Sequence, residues 1–239
     1  MNIVNVGYDS TNYYVLGASA NRLLVDVGWP GTLPRLLAML KRKDISLQDI
    51  GYLLITHYHP DHAGLAQEVK AKGVRLIVLE QQLPAIPILK SYMKPVNPYV
   101  NITLHDNLQL TAGESRAFLT NLGIVGEIIW TPGHSGDSVS LVLDEGVAFT
   151  GDLPPPGSVD EQARNTVRQS WDALKALGVR MIYPGHGPVR PLPLIDRVCC
   201  RPPTGDALAS LGGASSRYSW IESGVITCAY STTRPTPAR

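Results

Sequence analysis

Four short apolar runs in this chain each lead, within a few residues, into a motif carrying His or Asp. Leu53-Leu54-Ile55 leads to His57-Tyr58-His59-Pro60-Asp61-His62, and Ile128-Ile129-Trp130 leads to Thr131-Pro132-Gly133-His134. Val147-Ala148-Phe149 leads to Thr150-Gly151-Asp152, and Met181-Ile182-Tyr183 leads to Pro184-Gly185-His186-Gly187. Apolar runs of this length bounded by turn residues read as buried strands. Loops at strand ends are where a rigid scaffold carries reactive groups. Four such loops can converge on one edge of a sheet core in an α/β fold.

Imidazole and carboxylate side chains suit zinc, iron and manganese. The chain has 6 histidines, and all but His105 fall in these motifs. The candidate ligands are His57, His59, Asp61, His62, His134, Asp152 and His186. Three imidazoles and a water make an open zinc site. Seven donors exceed what one tetrahedral ion takes and suit two ions sharing a carboxylate, roughly 3.5–4 Å apart. A Pro-Gly-His or Thr-Gly-Asp standing alone is an ordinary turn; the argument rests on the set. His105, in Leu104-His105-Asp106-Asn107, reads as a surface turn residue.

Other features set bounds. The length of 239 residues fits one large α/β domain. With a formal net charge of +1, nothing calls for a nucleic acid or an anionic membrane as partner. No apolar run reaches 18 residues, so no transmembrane helix is expected. The start, Met1 to Val6, reads as a first strand rather than a signal peptide. Cys199, Cys200 and Cys228 all lie near the C-terminus, so the core needs no disulfide and the site uses no thiolate. A cytoplasmic location is the expectation.

Along the chain, strands are predicted at 13–16, 22–27, 52–55, 75–79, 124–130, 138–143, 146–150 and 180–183, with a hairpin turn over 17–21. Helices are predicted at 33–42, 63–72 and 161–177. Residues 80–100, with prolines at 84, 87, 95 and 98, read as a short helix and a loop. The catalytic domain is placed at 1–195. Beyond it, 196–239 is rich in Ser, Thr, Gly and Pro and reads as a weakly ordered tail.

The complete His-x-His-x-Asp-His signature at 57–62, followed in order by His134, Asp152 and His186, resembles the metallo-β-lactamase-fold superfamily. Val25-Asp26-Val27-Gly28 is similar to that family's early supporting strand. The resemblance implies an αββα sandwich of two mixed β-sheets flanked by helices. It implies one ion on His57, His59 and His134, a second on Asp61, His62 and His186, and Asp152 bridging them. Two Zn²⁺ are the expected cofactors, with Fe or Mn also compatible. Asp61 and Asp152 are the expected catalytic carboxylates, and Thr56 and Asp26 the expected supports. The implied activity is hydrolysis by a metal-bridged hydroxide, on the carbonyl of a thioester, lactone or related ester, with β-lactam hydrolysis as a side activity. The bridging Asp152 places the chain nearer the glyoxalase II and lactonase branch. The alternatives are a phosphodiesterase and a mono-iron persulfide dioxygenase using His57, His134 and Asp152. The partner expected is a small-molecule substrate, with oligomeric state left open. Trp29, Tyr58, Tyr92, Tyr99, Leu153 and Pro154 to Pro156 are candidates for lining its pocket.

Overall fold

Strand alternation decides how the layers stack. The computed structural model describes residues 1–17 and 21–192. Among them one sheet holds β1 (Ile3–Asn5), β2 (Tyr14–Leu16), β3 (Arg22–Val25), β4 (Ile50–Leu54), β5 (Arg75–Leu79) and β6 (Leu108–Leu110), in that spatial order. The other holds β7 (Gly126–Trp130), β8 (Val139–Leu143), β9 (Val147–Gly151), β10 (Met181–Pro184) and β11 (Arg190–Pro191), in the order β11-β10-β9-β8-β7. The helices are α1 (Leu33–Lys41), α2 (Pro60–Ala63), α3 (Ala66–Lys70), α4 (Ala112–Asn121) and α5 (Glu161–Ala176).

Successive side chains on a strand point to opposite faces. Tyr14, Leu16, Leu23, Val25 and Leu54 of the first sheet meet Ile128, Val139, Leu141, Leu143 and Phe149 of the second in one buried cluster. Val15, Leu24, Leu53, Leu76 and Val78 face the other way, onto Leu36 and Leu40 of α1 and onto Ala63, Ala66 and Val69 of α2 and α3. On the far side, Val142, Ala148 and Ile182 pack on Val167, Trp171 and Leu174 of α5. The layers are helix, sheet, sheet, helix, as the resemblance implies. Both faces of each sheet are covered, which explains why the strands read as near-continuous apolar runs.

Pairing fixes which strand ends share an edge. β3 runs parallel to β4, and β4 to β5. In the second sheet β7 and β9 are both antiparallel to β8, so they run the same way, and β10 is parallel to β9. The loops after β7, β9 and β10 therefore leave from one edge.

Several local differences from the sequence reading have plain causes. The helix expected at 63–72 is split into α2 and α3, because the Leu65 N–H leaves the helical ladder to bond Gly28 O at 2.9 Å. Residues 80–100 hold two short 3₁₀ segments, Glu80–Gln82 and Pro87–Tyr92. β6, α4 and β11 were not expected. The tail expected at 196–239, and residues 18–20 of the expected turn, lie outside the described residues. No helix among the described residues is long and apolar enough to cross a membrane.

Candidate metal centre

All seven side chains singled out in the sequence meet at one place. His57, His59, Asp61 and His62 lie on the loop after β4 and on α2, which follows it directly. His134 follows β7, Asp152 is the first residue after β9, and His186 is the second after β10. Three groups have one donor atom from each member within 4.8 Å of the others: His57, His59 and His134; His57, His62 and Asp152; and Asp61, His62 and His186.

Asp152 stands between the two ends of the cluster. Its Oδ2 is 3.7 Å from His134 Nε2, 3.4 Å from His186 Nε2 and 4.0 Å from His57 Nε2. Its Oδ1 is 3.4 Å from His62 Nε2. Asp61 Oδ2 lies 3.2 Å from His186 Nε2 and 3.6 Å from His62 Nε2. His57 and His62 form a buried floor, while His134 and His186 reach the surface. The site thus opens to solvent on one side.

The histidine tautomers follow from what holds each ring. His62 Nδ1 lies 2.9 Å from Asp26 Oδ2, a pure acceptor when ionised, so Nδ1 carries the proton and Nε2 faces the cluster. Thr56 Oγ1 donates its one proton to Asp26 Oδ2 at 2.8 Å, so it accepts from His57 Nδ1 at 3.2 Å. His186 Nδ1 donates to Ser10 O at 2.7 Å. In all three rings Nδ1 is held from outside the cluster, so Nε2 is the atom turned inward, the orientation that ligating histidines need. Asp26 also accepts from the Thr56 backbone N–H at 2.7 Å and sits at φ +62°. One buried carboxylate thereby positions two of the histidines.

Close packing also sets the geometry. A Cβ added at Gly185 would stand 2.5 Å from Asp152 Oδ1 and 2.6 Å from His62 Cε1. At Gly151, with φ +50°, it would collide with Thr56 Oγ1. Only glycine lets these two turns pass so near the clustered side chains. Asp137, 9% exposed, accepts from the Tyr58 N–H at 2.7 Å and pins the backbone between His57 and His59.

The charges are strongly perturbed. Burial, reinforced by the neighbouring imidazoles, holds His57 well below the ordinary histidine range. His134 is lowered mainly by burial, against the pull of Asp152. Burial also works to lower His62, but Asp26 and Asp152 outweigh it and push it up to about 10. Burial works to raise Asp152, and the surrounding imidazoles, His62 foremost, hold it below the usual carboxylate value.

The donor set fits divalent cations. His57 Nε2 and Asp152 Oδ1 are buried with no hydrogen-bond partner among the described residues. Leaving such atoms unpaired costs roughly 1–3 kcal/mol each. His134 Nε2 faces His59 Nδ1 at 3.0 Å, and His62 Nε2 faces His186 Nε2 at 3.4 Å. Imidazole nitrogens gathered this closely are within reach of a shared cation. Imidazole and carboxylate without thiolate suit zinc, iron or manganese.

A sequence profile of the metallo-beta-lactamase superfamily matches residues 6–186. The chain belongs to that superfamily. Among its relatives in the metallo-beta-lactamase superfamily is the beta-lactamase-like protein 2 homolog of Caenorhabditis elegans, 29% identical over 181 residues, covering 75% of this chain and 56% of that protein. Another is the atrochrysone carboxyl ACP thioesterase of Aspergillus fumigatus, 31% identical over 187 residues, covering 75% and 51%. The chain spans about half the length of the curated relatives it matches. A solved metallo-beta-lactamase family protein from Thermus thermophilus superposes with a TM-score of 0.61 at 24% identity, covering 79% of this chain and 73% of that one. The BLEG-1 B3 metallo-beta-lactamase gives 0.61 at 24% identity, covering 80% and 93%. These structural likenesses establish the metallo-beta-lactamase fold.

Of the remaining sequence candidates, Tyr92 touches the cluster: its ring centroid is 5.1 Å from that of His59, and it is half exposed. Tyr58 is buried in the helix-side core. Trp29 is exposed, on the loop whose Val27 N–H bonds His62 O at 2.8 Å. His105 lies at the surface, 3.2 Å from Asp106. Sequence reasoning missed Thr11, whose hydroxyl donates to Asp61 Oδ2 at 3.3 Å, along with Asn12 and Asp137. Asp137 follows His134 within three residues, and that proximity was its one signal.

Proposed function

We propose that this chain is a metal-dependent hydrolase that takes two divalent ions and cleaves a small ester, thioester or lactone at its carbonyl carbon. The observation that carries this reading is Asp152, set between two separate triads of donors. His57, His59 and His134 would hold one ion and Asp61, His62 and His186 the other, with Asp152 offering an oxygen to each side. Ions bound there supply Lewis acidity, making a water acidic enough to ionise near neutral pH and polarising a substrate oxygen.

The chain's own groups do the rest. The buried His57 and His62 close the floor against bulk water. Asp26 and Thr56 hold their Nδ1 atoms, so that both rings present Nε2 inward. Asp61, held by the Thr11 hydroxyl and partly open to solvent, is placed to orient an attacking water and take its proton. A small-molecule substrate enters from the exposed side, past His134, His186 and Tyr92.

Among the relatives, one is named a thioesterase, which favours attack on carbon over phosphorus. β-Lactam hydrolysis is a compatible side activity, since the bond attacked is also to a carbonyl. The single-iron dioxygenase reading needs only His57, His134 and Asp152, and gives Asp61, His62 and His186 no task. Their gathering within one donor group favours the two-ion reading.

The deciding experiment is elemental analysis of protein produced with zinc and iron both available, followed by a screen of thioesters, lactones and nitrocefin. About two zinc ions per chain, diminished by Asp152→Ala, with turnover of at least one acyl substrate, is the expected result. About one iron per chain with persulfide-dependent oxygen uptake, or no bound metal, overturns it.

A further inference from the structure

His186 sits in a turn that has little structure of its own. β10 ends at Pro184, and Gly187, at φ +79°, reverses the chain immediately after the histidine. The segment 10–12, from the opposite sheet's first connection, supplies what the turn lacks. Asn12 Nδ2 donates to Pro184 O at 3.0 Å and to Gly187 O at 2.8 Å, using both protons of one amide. The Asn12 backbone N–H donates to Gly185 O at 2.7 Å. Asn12 therefore grips the chain immediately before and after His186. Ser10 O takes the ring's Nδ1 proton, and Thr11 pairs with His186 in an isolated antiparallel bridge.

The amide is itself oriented. Its Oδ1 accepts from Asn5 Nδ2 at 2.9 Å, which leaves Nδ2 facing the two carbonyls. Aspartate has the same shape but no proton to donate, and would set carboxylate oxygens against two carbonyl oxygens. Leucine would remove the side-chain donor to Gly187 O and leave Pro184 O with only the Tyr14 hydroxyl, which donates to it at 2.9 Å. The position asks for a side chain with two donors on one atom and an acceptor beside them, which among residues of this length only asparagine provides.

The clamp reaches one donor triad and not the other. Through Thr11 it touches Asp61, and through the turn it touches His186, while among the described residues none of its hydrogen bonds goes to His57, His59 or His134. We propose that Asn12 is the positioning residue of the second ion: it sets how tightly the triad Asp61, His62 and His186 binds, and leaves the triad His57, His59 and His134 unaffected. The inference rests on the two-ion reading above. Loss of an outer contact that orients a ligand typically weakens metal binding about 10–100-fold.

The test is stepwise zinc binding to the metal-free full chain, followed by equilibrium dialysis and elemental analysis. The wild type should bind about two ions per chain. Asn12→Asp should keep the first ion at unchanged affinity and bind the second about 10–100-fold more weakly. Asn5→Ala, which only frees the amide to turn, should weaken the second ion by a smaller factor, and serves if Asn12→Asp does not fold. A residue serving the fold alone would weaken both ions together. Two ions in the variants at unchanged affinities, or equal weakening of both, overturns the clamp. Fewer than two ions in the wild type overturns the two-ion reading instead, so the two failures are distinguishable.

Discussion

Asp26 Oδ2 lies 2.9 Å from His62 Nδ1 and 2.8 Å from Thr56 Oγ1, which in turn holds His57 Nδ1. A single carboxylate, 2% exposed, thus governs two rings that belong to different halves of the cluster. Asp26→Asn keeps the shape and removes the charge. We expect zinc affinity to fall by about 10–100-fold, read by competition with a chromogenic chelator. Unchanged affinity would show that the rings are held by packing alone.

The same pair sets a pH dependence in the metal-free chain. His62 is held at about 10 when folded, above the ordinary value of 6.5 for an unstrained histidine. A raised value means that the folded state holds the proton more tightly. Its contribution to stability is complete below about 6.5 and is lost as pH rises through about 10. Urea midpoints of metal-free wild type and Asp26→Asn should therefore differ most just below pH 6.5, draw together as pH rises, and converge above pH ~10. Parallel profiles across that window would sink the assignment.

Gly185→Ala tests the tightness of the turn at Asp152. Its φ is not in the left-handed region, so the backbone tolerates alanine and the effect is steric. The added methyl would press on Asp152 Oδ1 and His62 Cε1. Overpacking of this kind costs about 1–3 kcal/mol. Thermal unfolding should show that loss together with reduced zinc content. Full zinc content in the alanine variant would mean that the turn yields freely.

Tyr58→Phe goes the other way. The Tyr58 hydroxyl is buried with no partner among the described residues, and burial pushes its pKa up. Removing an unpaired buried hydroxyl is close to neutral or stabilising, within ~1 kcal/mol. A loss of more than ~2 kcal/mol in urea unfolding would reveal a bond that the hydroxyl makes after all.

Zinc should stabilise the folded chain, since a ligand that binds only the folded state adds about 2.7 kcal/mol at a hundred times its Kd. A differential scanning experiment with and without a chelator reads this directly. An unfolding temperature indifferent to both zinc and chelator would contradict a preformed site.

The site was legible because its residues come in dense local motifs. Six residues supply four donors at 57–62, and the three later donors each follow an apolar strand. The layers were legible through the resemblance, whereas alternation was obscured by burial of both strand faces. α4 was not, although Thr111 and Glu114 form a capping box at its start, each bonding the other's backbone N–H. Its buried face carries Ser115, whose hydroxyl accepts from Ile128 N at 3.0 Å, so the apolar stripe that would reveal a helix is interrupted. Asn12 was invisible for another reason. The carbonyls it grips lie more than a hundred residues away in the chain, and before a strand Thr-Asn reads as an ordinary turn.

The scatter of the donors along the chain has a kinetic consequence. Contacts of long sequence separation form after local ones, because the intervening loop must first be closed. The centre draws on Asp26 after β3, on the loop after β4, and on the ends of β7, β9 and β10, so it is complete only when both sheets have formed and met. If the cluster takes metal as proposed, metal uptake should therefore be a late event in refolding, and a pulse of labelled zinc would time-stamp the molecules that have reached the end of the folding path.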